Sequence, residues 1–450
     1  MTHERERDDT AVVPERGRQG GETAAPALCQ WGWVEPAVWS KRMLEALVRG
    51  VKGGRWFSLI DKVYSKKNLR AAFRKVKANG GAAGVDHETI ERFEERLEEN
   101  LDRLHDELRS QRYRPRAVRR AWIPKPGKKD DKRPLGIPTV RDRVVQTALR
   151  NVLEPIFEQD FAPRSYGFRP GRGCKDALRC VDGLLKDGHH YVVDADLRSY
   201  FDTIPHEPLL RLVERKVSDT RILDLLHAYI KGHILDGMRG WTPVAGSPQG
   251  AVVSPLLSNI YLDPLDQHMA KCGFEMVRYA DDFVILCRTA EEAAAALREI
   301  QQWTEDNGLT LHPEKTMIVD ARKENFDFLG YTFGPPYGRW PRKKSLLKLK
   351  DTVRAKTRRN NGHSLEFIIE NVNRTLRGWF EYFKHAKWYV FERLDRWIRM
   401  RLRSILRKRA HKRGRGRGID HVQWTNAFFR EHGLLSLLAA YRSAIQSVSR

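Results

Sequence analysis

Met276-Val-Arg-Tyr-Ala-Asp-Asp-Phe-Val-Ile-Leu-Cys287 sets two apolar, β-prone runs on either side of Ala280-Asp281-Asp282, the pattern of a hairpin with adjacent acids at its turn. Two neighbouring carboxylates between hydrophobic strands repel each other and lose hydration. Divalent cations are the natural compensation. A second stretch has the same character, since His190-Tyr-Val-Val-Asp-Ala-Asp-Leu-Arg-Ser-Tyr-Phe-Asp-Thr-Ile204 is an apolar run ending in acids. If Asp196 lies beside Asp281 on a neighbouring strand, the pair can hold two hard cations. One would lower the pKa of a primer 3′-hydroxyl and the other would stabilise a leaving pyrophosphate. Either cluster alone also reads as a solvated turn, but both together in a strongly basic chain argue for nucleotidyl transfer.

The basic balance is large: the 450 residues carry a formal net charge of +24, which speaks of a polyanionic partner, nucleic acid first. With 41% hydrophobic residues most of the chain should still fold, and its length exceeds one core. No uninterrupted apolar run reaches the roughly eighteen residues that a membrane span needs. The start, MTHERERDDT, has neither an apolar signal core nor the acid-poor character of a transit peptide. The expected location is the cytosol or nucleoid, with no membrane partner. Five cysteines, odd in number and without C-x-x-C pairing, argue against both a disulfide framework and a zinc site.

Outward from the acids, residues 1–28 are polar and aperiodic, the composition of a disordered tail. Residues 29–60 form an extension in which Trp31, Trp33, Trp39 and Trp56 recur among basic residues, for core packing or for gripping nucleic acid. Ile90, Phe93, Leu97, Leu101, Leu104 and Leu108 fall on one helical stripe. Strand-like segments around 122–138, 190–196 and 277–286, with helices between them, make 61–337 a mixed α/β region. From 338 to 412 the periodicity is helical: Leu365, Ile368, Ile369, Val372, Leu376, Phe380 and Phe383, then Phe391, Leu394, Ile398, Leu402 and Ile405. The chain after Arg339 holds about twenty of the excess positive charges. On the second of these helices Arg396, Arg399, Arg403 and Arg407 cluster away from the apolar stripe, which leaves one face for the core and one for phosphate. Residues 413–450 read as a basic Gly/Arg loop and a short C-terminal segment.

These blocks resemble a known family. Tyr279-Ala280-Asp281-Asp282 is similar to the Y-x-D-D signature of reverse transcriptases, and Asp196 to Asp202 resembles their first catalytic block. Around them stand Asn79-Gly-Gly-Ala-Ala-Gly-Val-Asp86, Ile123-Pro-Lys-Pro-Gly127 with Lys132-Arg-Pro-Leu-Gly-Ile-Pro138, and Ser165-Tyr-Gly-Phe-Arg-Pro170. Gly246-Ser-Pro-Gln-Gly250, Ser254-Pro-Leu-Leu-Ser-Asn259, His312-Pro-Glu-Lys-Thr316 and Phe328-Leu-Gly-Tyr331 follow. In this order they match bacterial group II intron reverse transcriptases. Arg377-Gly-Trp-Phe-Glu-Tyr-Phe383 and the arginine-rich helix resemble the family's thumb, or maturase, domain. Many relatives add a metal-dependent endonuclease with paired cysteines and histidines, a pattern missing after Arg417.

The resemblance implies an α+β right-hand polymerase, with fingers and palm around a small antiparallel sheet and an α-helical thumb/maturase domain after them. It implies two Mg2+ ions on Asp196 and Asp281, with Asp282 a weaker or structural participant. Lys125 and Arg133 would clamp the incoming triphosphate; as residues alone they also read as a solvated basic loop. Phe201 would exclude a 2′-hydroxyl, with Tyr200 a core residue or second contact. Gln249 would meet the template and nucleotide pocket, and Lys315 the primer or triphosphate. The partners implied are group II intron RNA, an RNA template with a DNA primer, and deoxynucleoside triphosphates. The expected activity is RNA-directed DNA synthesis from intron RNA, joined to a maturase role in splicing. The alternative is a domesticated reverse transcriptase in phage defence or another host process.

Overall fold

A computed structural model describes residues 31–124, 132–237, 239–246, 250–335, 338–412 and 418–448. The tail 1–28, Lys125, Gln249 and the Gly/Arg run 413–417 lie outside the described residues.

Three small sheets carry the strands among the described residues. In the first, β1 (Val118–Pro124) pairs antiparallel with β2 (Lys132–Ile137), Ile123 facing Arg133. On its other edge β4 (Ile234–Asp236) runs parallel to β1 and is followed by β5 (Arg239–Trp241). The second sheet has the order β6 (Glu275–Tyr279), β7 (Asp282–Cys287), β3 (Tyr191–Asp196), β8 (Met317–Asp320), with every neighbour antiparallel. The third is a meander of β9 (Phe326–Phe328), β10 (Tyr331–Gly334) and β11 (Gly338–Pro341).

The helices around the sheets are α1 (Val140–Glu158), α2 (Cys174–Lys186), α3 (Ser254–Lys271), α4 (Ala290–Asp306), α5 (Lys343–Lys356), α6 (Leu365–Phe383), α7 (Trp388–Arg409) and α8 (Leu437–Val448). Strand alternation sorts the second sheet between two cores. Val193, Ala195, Phe283 and Ile285 join α1, α3 and α4 on one side. Val192, Val277, Val284 and Leu286 join α2, the third sheet and helices α5 to α8 on the other. A mixed helix-and-sheet region followed by a helical region is therefore the observed architecture, as expected for a palm and a thumb.

The N-terminal tryptophans belong to the first core. Trp31 and Trp39 are buried, and the Trp39 indole N–H donates to the Asn151 carbonyl of α1 at 2.9 Å. The edge of the Trp56 ring meets Trp39 with centroids 5.4 Å apart. Of the two roles left open for this stretch, packing accounts for these side chains.

The stripe from Ile90 to Leu108 forms two helices, Ile90–Glu95 and Leu97–Arg109, not one. Arg96 leaves helical geometry at φ −123°, ψ 42°, and the Asn100 side-chain amide donates to the Phe93 carbonyl at 3.0 Å. That satisfies a group the broken ladder releases.

The C-terminal segment is part of the thumb. Trp424, Phe429 and Leu437 are buried in its core. Asp395 on α7, itself buried, accepts from the Ser436 hydroxyl at 2.7 Å and the Leu437 N–H at 2.9 Å. A carboxylate from one helix thus serves the N-terminus of another, where the exposed N–H groups and dipole favour negative charge. This packing corrects the expected phosphate face of α7. Arg403 is buried; its Nε donates to the Trp424 carbonyl at 2.8 Å, and its guanidinium lies over the Phe429 ring. Arg407 pairs with the fully buried Asp420 at 2.6 Å. Both cations hold the C-terminal segment to α7, whereas Arg396 stays exposed beside Glu392 and Arg399 is half-buried.

Candidate active site

Strands β6 and β7 close on a two-residue turn, Ala280-Asp281, with Tyr279 opposite Asp282. Ala280 takes a left-handed φ of 60°, as tight hairpin turns require at their first central position. On the other edge of β7, Asp282 stands directly opposite Asp196 at the end of β3. Asp281, Asp282 and Asp196 are therefore brought together at one end of the sheet. Asp194 lies two residues before Asp196 and shares its face.

The turn is braced from below. Arg278 is fully buried, and its guanidinium grips Asp266 of α3, with Nε 2.8 Å from Oδ1. Its Nη1 donates to the Ala280 carbonyl at 2.9 Å and to Asn259 Oδ1 at 3.1 Å. Asn259 in turn donates to the Gly167 carbonyl at 2.8 Å. Gly167 touches the turn itself: a Cβ there would stand 2.1 Å from the Ala280 nitrogen. The Ser165-Tyr-Gly-Phe-Arg-Pro170 block thus has a mechanical reason for its glycine.

Lys315 reaches the acids from the loop before β8. The His312 N–H donates to the Asp196 carbonyl at 2.7 Å, and the turn that follows closes with the Lys315 N–H on the His312 carbonyl at 3.2 Å. Lys315 then forms an ion pair with the Asp196 carboxylate.

Three of the carboxyls, those of Asp194, Asp281 and Asp282, are raised above their usual range. Burial, then Asp194, Asp281 and Asp196, pushes Asp282 up to about 7 against a Leu329 backbone N–H that pulls it down. Burial, then Asp327 and Asp196, pushes Asp194 up to about 6. Burial and the Asp196 charge also raise Asp281. Such a set of oxygen donors fits hard divalent cations, whose charge would relieve the repulsion.

Phe201 and Tyr200 part company. Ser199 turns left-handed at φ 51° and starts a short helix, Tyr200–Thr203. Tyr200 is buried, with its hydroxyl donating to the Ser258 carbonyl at 2.8 Å, so it is a core residue. Phe201 is only partly buried, with its ring against Tyr200. Gly246 donates to the Ile204 carbonyl at 2.8 Å. At Gly250, φ is 108°, and a Cβ would lie 2.4 Å from the Gly136 carbonyl oxygen of β2. Arg133 is exposed on β2.

Sequence reading missed three contributors: Asp194, Arg278 and Asp327. Asp327 pairs with Arg342 at 2.6 Å and adds charge beside Asp194. Period-two spacing from Asp196 would have found Asp194. Nothing local marks Arg278 as buried. A further surface lies on the first sheet, where the Arg120 guanidinium sits 5.0 Å from the Trp122 ring centroid and 4.8 Å from that of Trp241. Both rings are partly open to solvent.

A palm sheet with acids gathered at one end defines a nucleic-acid polymerase of the reverse-transcriptase class. Residues 123–333 match the family described as reverse transcriptase (RNA-dependent DNA polymerase), and residues 346–424 match the group II intron maturase-specific domain. Protein YkfC of Escherichia coli K12 is 33% identical over 390 residues, 77% of this chain and 95% of that protein. Group II intron-encoded protein LtrA of Lactococcus lactis is 36% identical over 209 residues, 46% of this chain and 34% of LtrA. The putative COX1/OXI3 intron 1 protein of Saccharomyces cerevisiae is 26% identical over 78% of this chain and 48% of its own length. The chain thus spans a third to a half of these two longer relatives. A solved telomerase structure from Candida albicans matches at 15% identity and a TM-score of 0.40, covering 67% of this chain and 61% of that one. The chain belongs to the group II intron-encoded reverse transcriptases with a maturase domain, a family of RNA-directed DNA polymerases that bind RNA and use divalent metal ions.

Two expectations follow from this geometry. Arg278→Met leaves the Asp266 carboxylate buried without its partner and should destabilise the fold by about 3–5 kcal/mol. Arg278→Met with Asp266→Leu removes both charges and should recover most of that loss in chemical denaturation; equal losses in the single and double variants would refute the pairing.

The second concerns pH without metal. Unfolded carboxyls ionise near about 3.9, while folded Asp194 and Asp282 keep their protons to about 6 and about 7. Between those values the folded state binds more protons, so these two groups make stability fall as pH rises from about 4 to about 7. In chelator, the denaturation midpoint of the parent should drop across that window more steeply than that of Asp282→Asn. Parallel profiles would show that Asp282 is not held protonated.

Proposed function

We propose that this protein copies group II intron RNA into DNA by two-metal nucleotidyl transfer, with Asp196 and Asp281 as principal ligands of two Mg2+ ions and Asp282 as a supporting acid. The observation that carries the reading is the cross-strand pair Asp196 and Asp282 with the braced Asp281 turn beside it. When bound, the ions would lower the pKa of the primer 3′-hydroxyl and balance charge on the leaving pyrophosphate. The remaining work is positioning and charge neutralisation by the chain. Lys315, paired with the Asp196 carboxylate, would be drawn from it by a triphosphate or primer phosphate. Arg133, with Lys125, would clamp the triphosphate from the fingers. Phe201 would pack where a 2′-hydroxyl projects, and Gln249 would meet the template and nucleotide pocket.

As a maturase the protein would hold folded intron RNA through the basic thumb. Arg396 and Arg399 remain candidates for phosphate contact, while Arg403 and Arg407 act as internal staples. The ladder of Trp122, Arg120 and Trp241, with both rings open to solvent, supports contact with unpaired bases, which stack on aromatic faces with any sequence. With these substrates and this RNA, its proposed place of work is the bacterial cytosol or nucleoid. No helix among the described residues is long and apolar enough to cross a membrane.

The decisive assay is extension of a DNA primer on an RNA template with deoxynucleotides and Mg2+. Asp281→Asn should lower the rate by several orders of magnitude and leave RNA affinity and its salt dependence unchanged. More than about a tenth of the parental rate would overturn the acid assignment. Phe201→Val should raise ribonucleotide use relative to deoxynucleotides in kcat/KM, because it opens space beside the sugar. An unmoved ratio in a folded variant would remove Phe201 as the gate.

A further inference from the structure

A second cluster of metal-type ligands stands away from the polymerase acids. His268 and Cys272 are four residues apart at the C-terminal end of α3, a spacing that puts them one above the other on one helix face. Glu299 comes from α4. His268 Nε2 lies 2.9 Å from Glu299 Oε2, and Cys272 Sγ lies 3.8 Å from the same nitrogen. Each ligand atom is within 4.8 Å of the other two, and among the described residues this is the one trio of His, Cys, Asp or Glu drawn so close.

Those separations are near what one tetrahedral ion demands. Zinc sits about 2.0–2.1 Å from nitrogen, about 2.0–2.2 Å from oxygen and about 2.3 Å from sulfur, so its ligand atoms lie roughly 3.3–3.6 Å apart. Small side-chain rotations would bring all three onto one centre. The donor set decides which cation. A thiolate and an imidazole select a borderline-soft ion such as Zn2+ and disfavour Mg2+, which takes hard oxygen ligands in an octahedron. The trio is partly open to solvent, so a fourth position is left for water or an outside ligand.

We infer that His268, Cys272 and Glu299 form a zinc-class site that clips the end of α3 to α4. It is separate from the polymerase site. Leu265, Met269 and Ile300 of the same two helices are buried in the first core. The acids Asp194, Asp196 and Asp282 share the opposite sheet face with Val192 and Val284. The clip would tighten the helix that carries Asn259 and Asp266, the partners of Arg278, without touching the acids. An ordinary surface ion pair between His268 and Glu299 is the competing account, and it requires neither the cysteine nor a metal.

The full-length protein, stripped with chelator and returned to excess Mg2+, should be titrated with Co2+ as a spectroscopic substitute for Zn2+. One equivalent should give tetrahedral d–d absorption together with a thiolate-to-cobalt charge-transfer band, and Zn2+ should bleach both. Cys272→Ser should lose the charge-transfer band, and His268→Gln and Glu299→Gln should each weaken binding at least tenfold. Asp281→Asn should leave the spectrum unchanged, and Cys272→Ser should extend primers at the parental rate. In the parent, Zn2+ added over Mg2+ should raise the unfolding temperature, and in Cys272→Ser it should not. Absence of the charge-transfer band, or its survival in Cys272→Ser, would overturn the site. So would a spectrum that disappears in Asp281→Asn, because the metal would then lie at the polymerase acids.

Discussion

The Arg278 guanidinium carries its charge where no water reaches, and much of the palm is arranged to make that tolerable. An isolated buried cation would cost several kcal/mol. Asp266 neutralises it, while Asn259 Oδ1 and the Ala280 carbonyl accept from its Nη1. This ties helix α3, the Gly167 segment and the hairpin turn into one unit. Buried ion pairs are poor sources of net stability, but they are directional. Here the direction is the useful part, because the carbonyl that is held belongs to the residue before Asp281.

The palm sheet is a partition as much as a scaffold. Each of its central strands is apolar on both faces until β3 reaches Asp194, and the acids then share the face that looks toward the second core. That places them where the thumb-side core approaches, through Leu329 and Asp327, and explains why the Asp194 and Asp282 carboxyls are raised. Burial creates the electrostatic problem that bound cations would relieve. The opposite face belongs to the core shared with α1, α3 and α4, and the N-terminal tryptophans join that core through α1.

Charge on the thumb divides by depth. A helical wheel places Arg396, Arg399, Arg403 and Arg407 on one side of α7, and all four are of one type. Packing gives them different fates, because the chain returns after Gly418 and covers the lower half of that side. Arg403 and Arg407 become internal partners of Trp424 and Asp420. The helix retains a cationic surface only where nothing lies over it.

The chain itself determined its class. Alternating apolar residues ending in Asp196, and a hairpin with Asp281 and Asp282 at its turn, can be read without coordinates because strand periodicity and turn chemistry are local. Helical periods likewise made α6 and α7 legible, although the break at Arg96 was not, since it depends on a side chain four residues on accepting a structural role. Other features required the fold. Whether Arg278 is buried, whether Arg403 faces water, and whether His268, Cys272 and Glu299 meet are questions about distant segments, and sequence spacing carries no information on them. Tryptophans 31 and 39 show the same limit: their type allowed either packing or nucleic-acid contact, and only the position of α1 decided it. Local hydrogen bonding and periodicity set the elements; the solvation of each charge was set by what the rest of the chain placed over it.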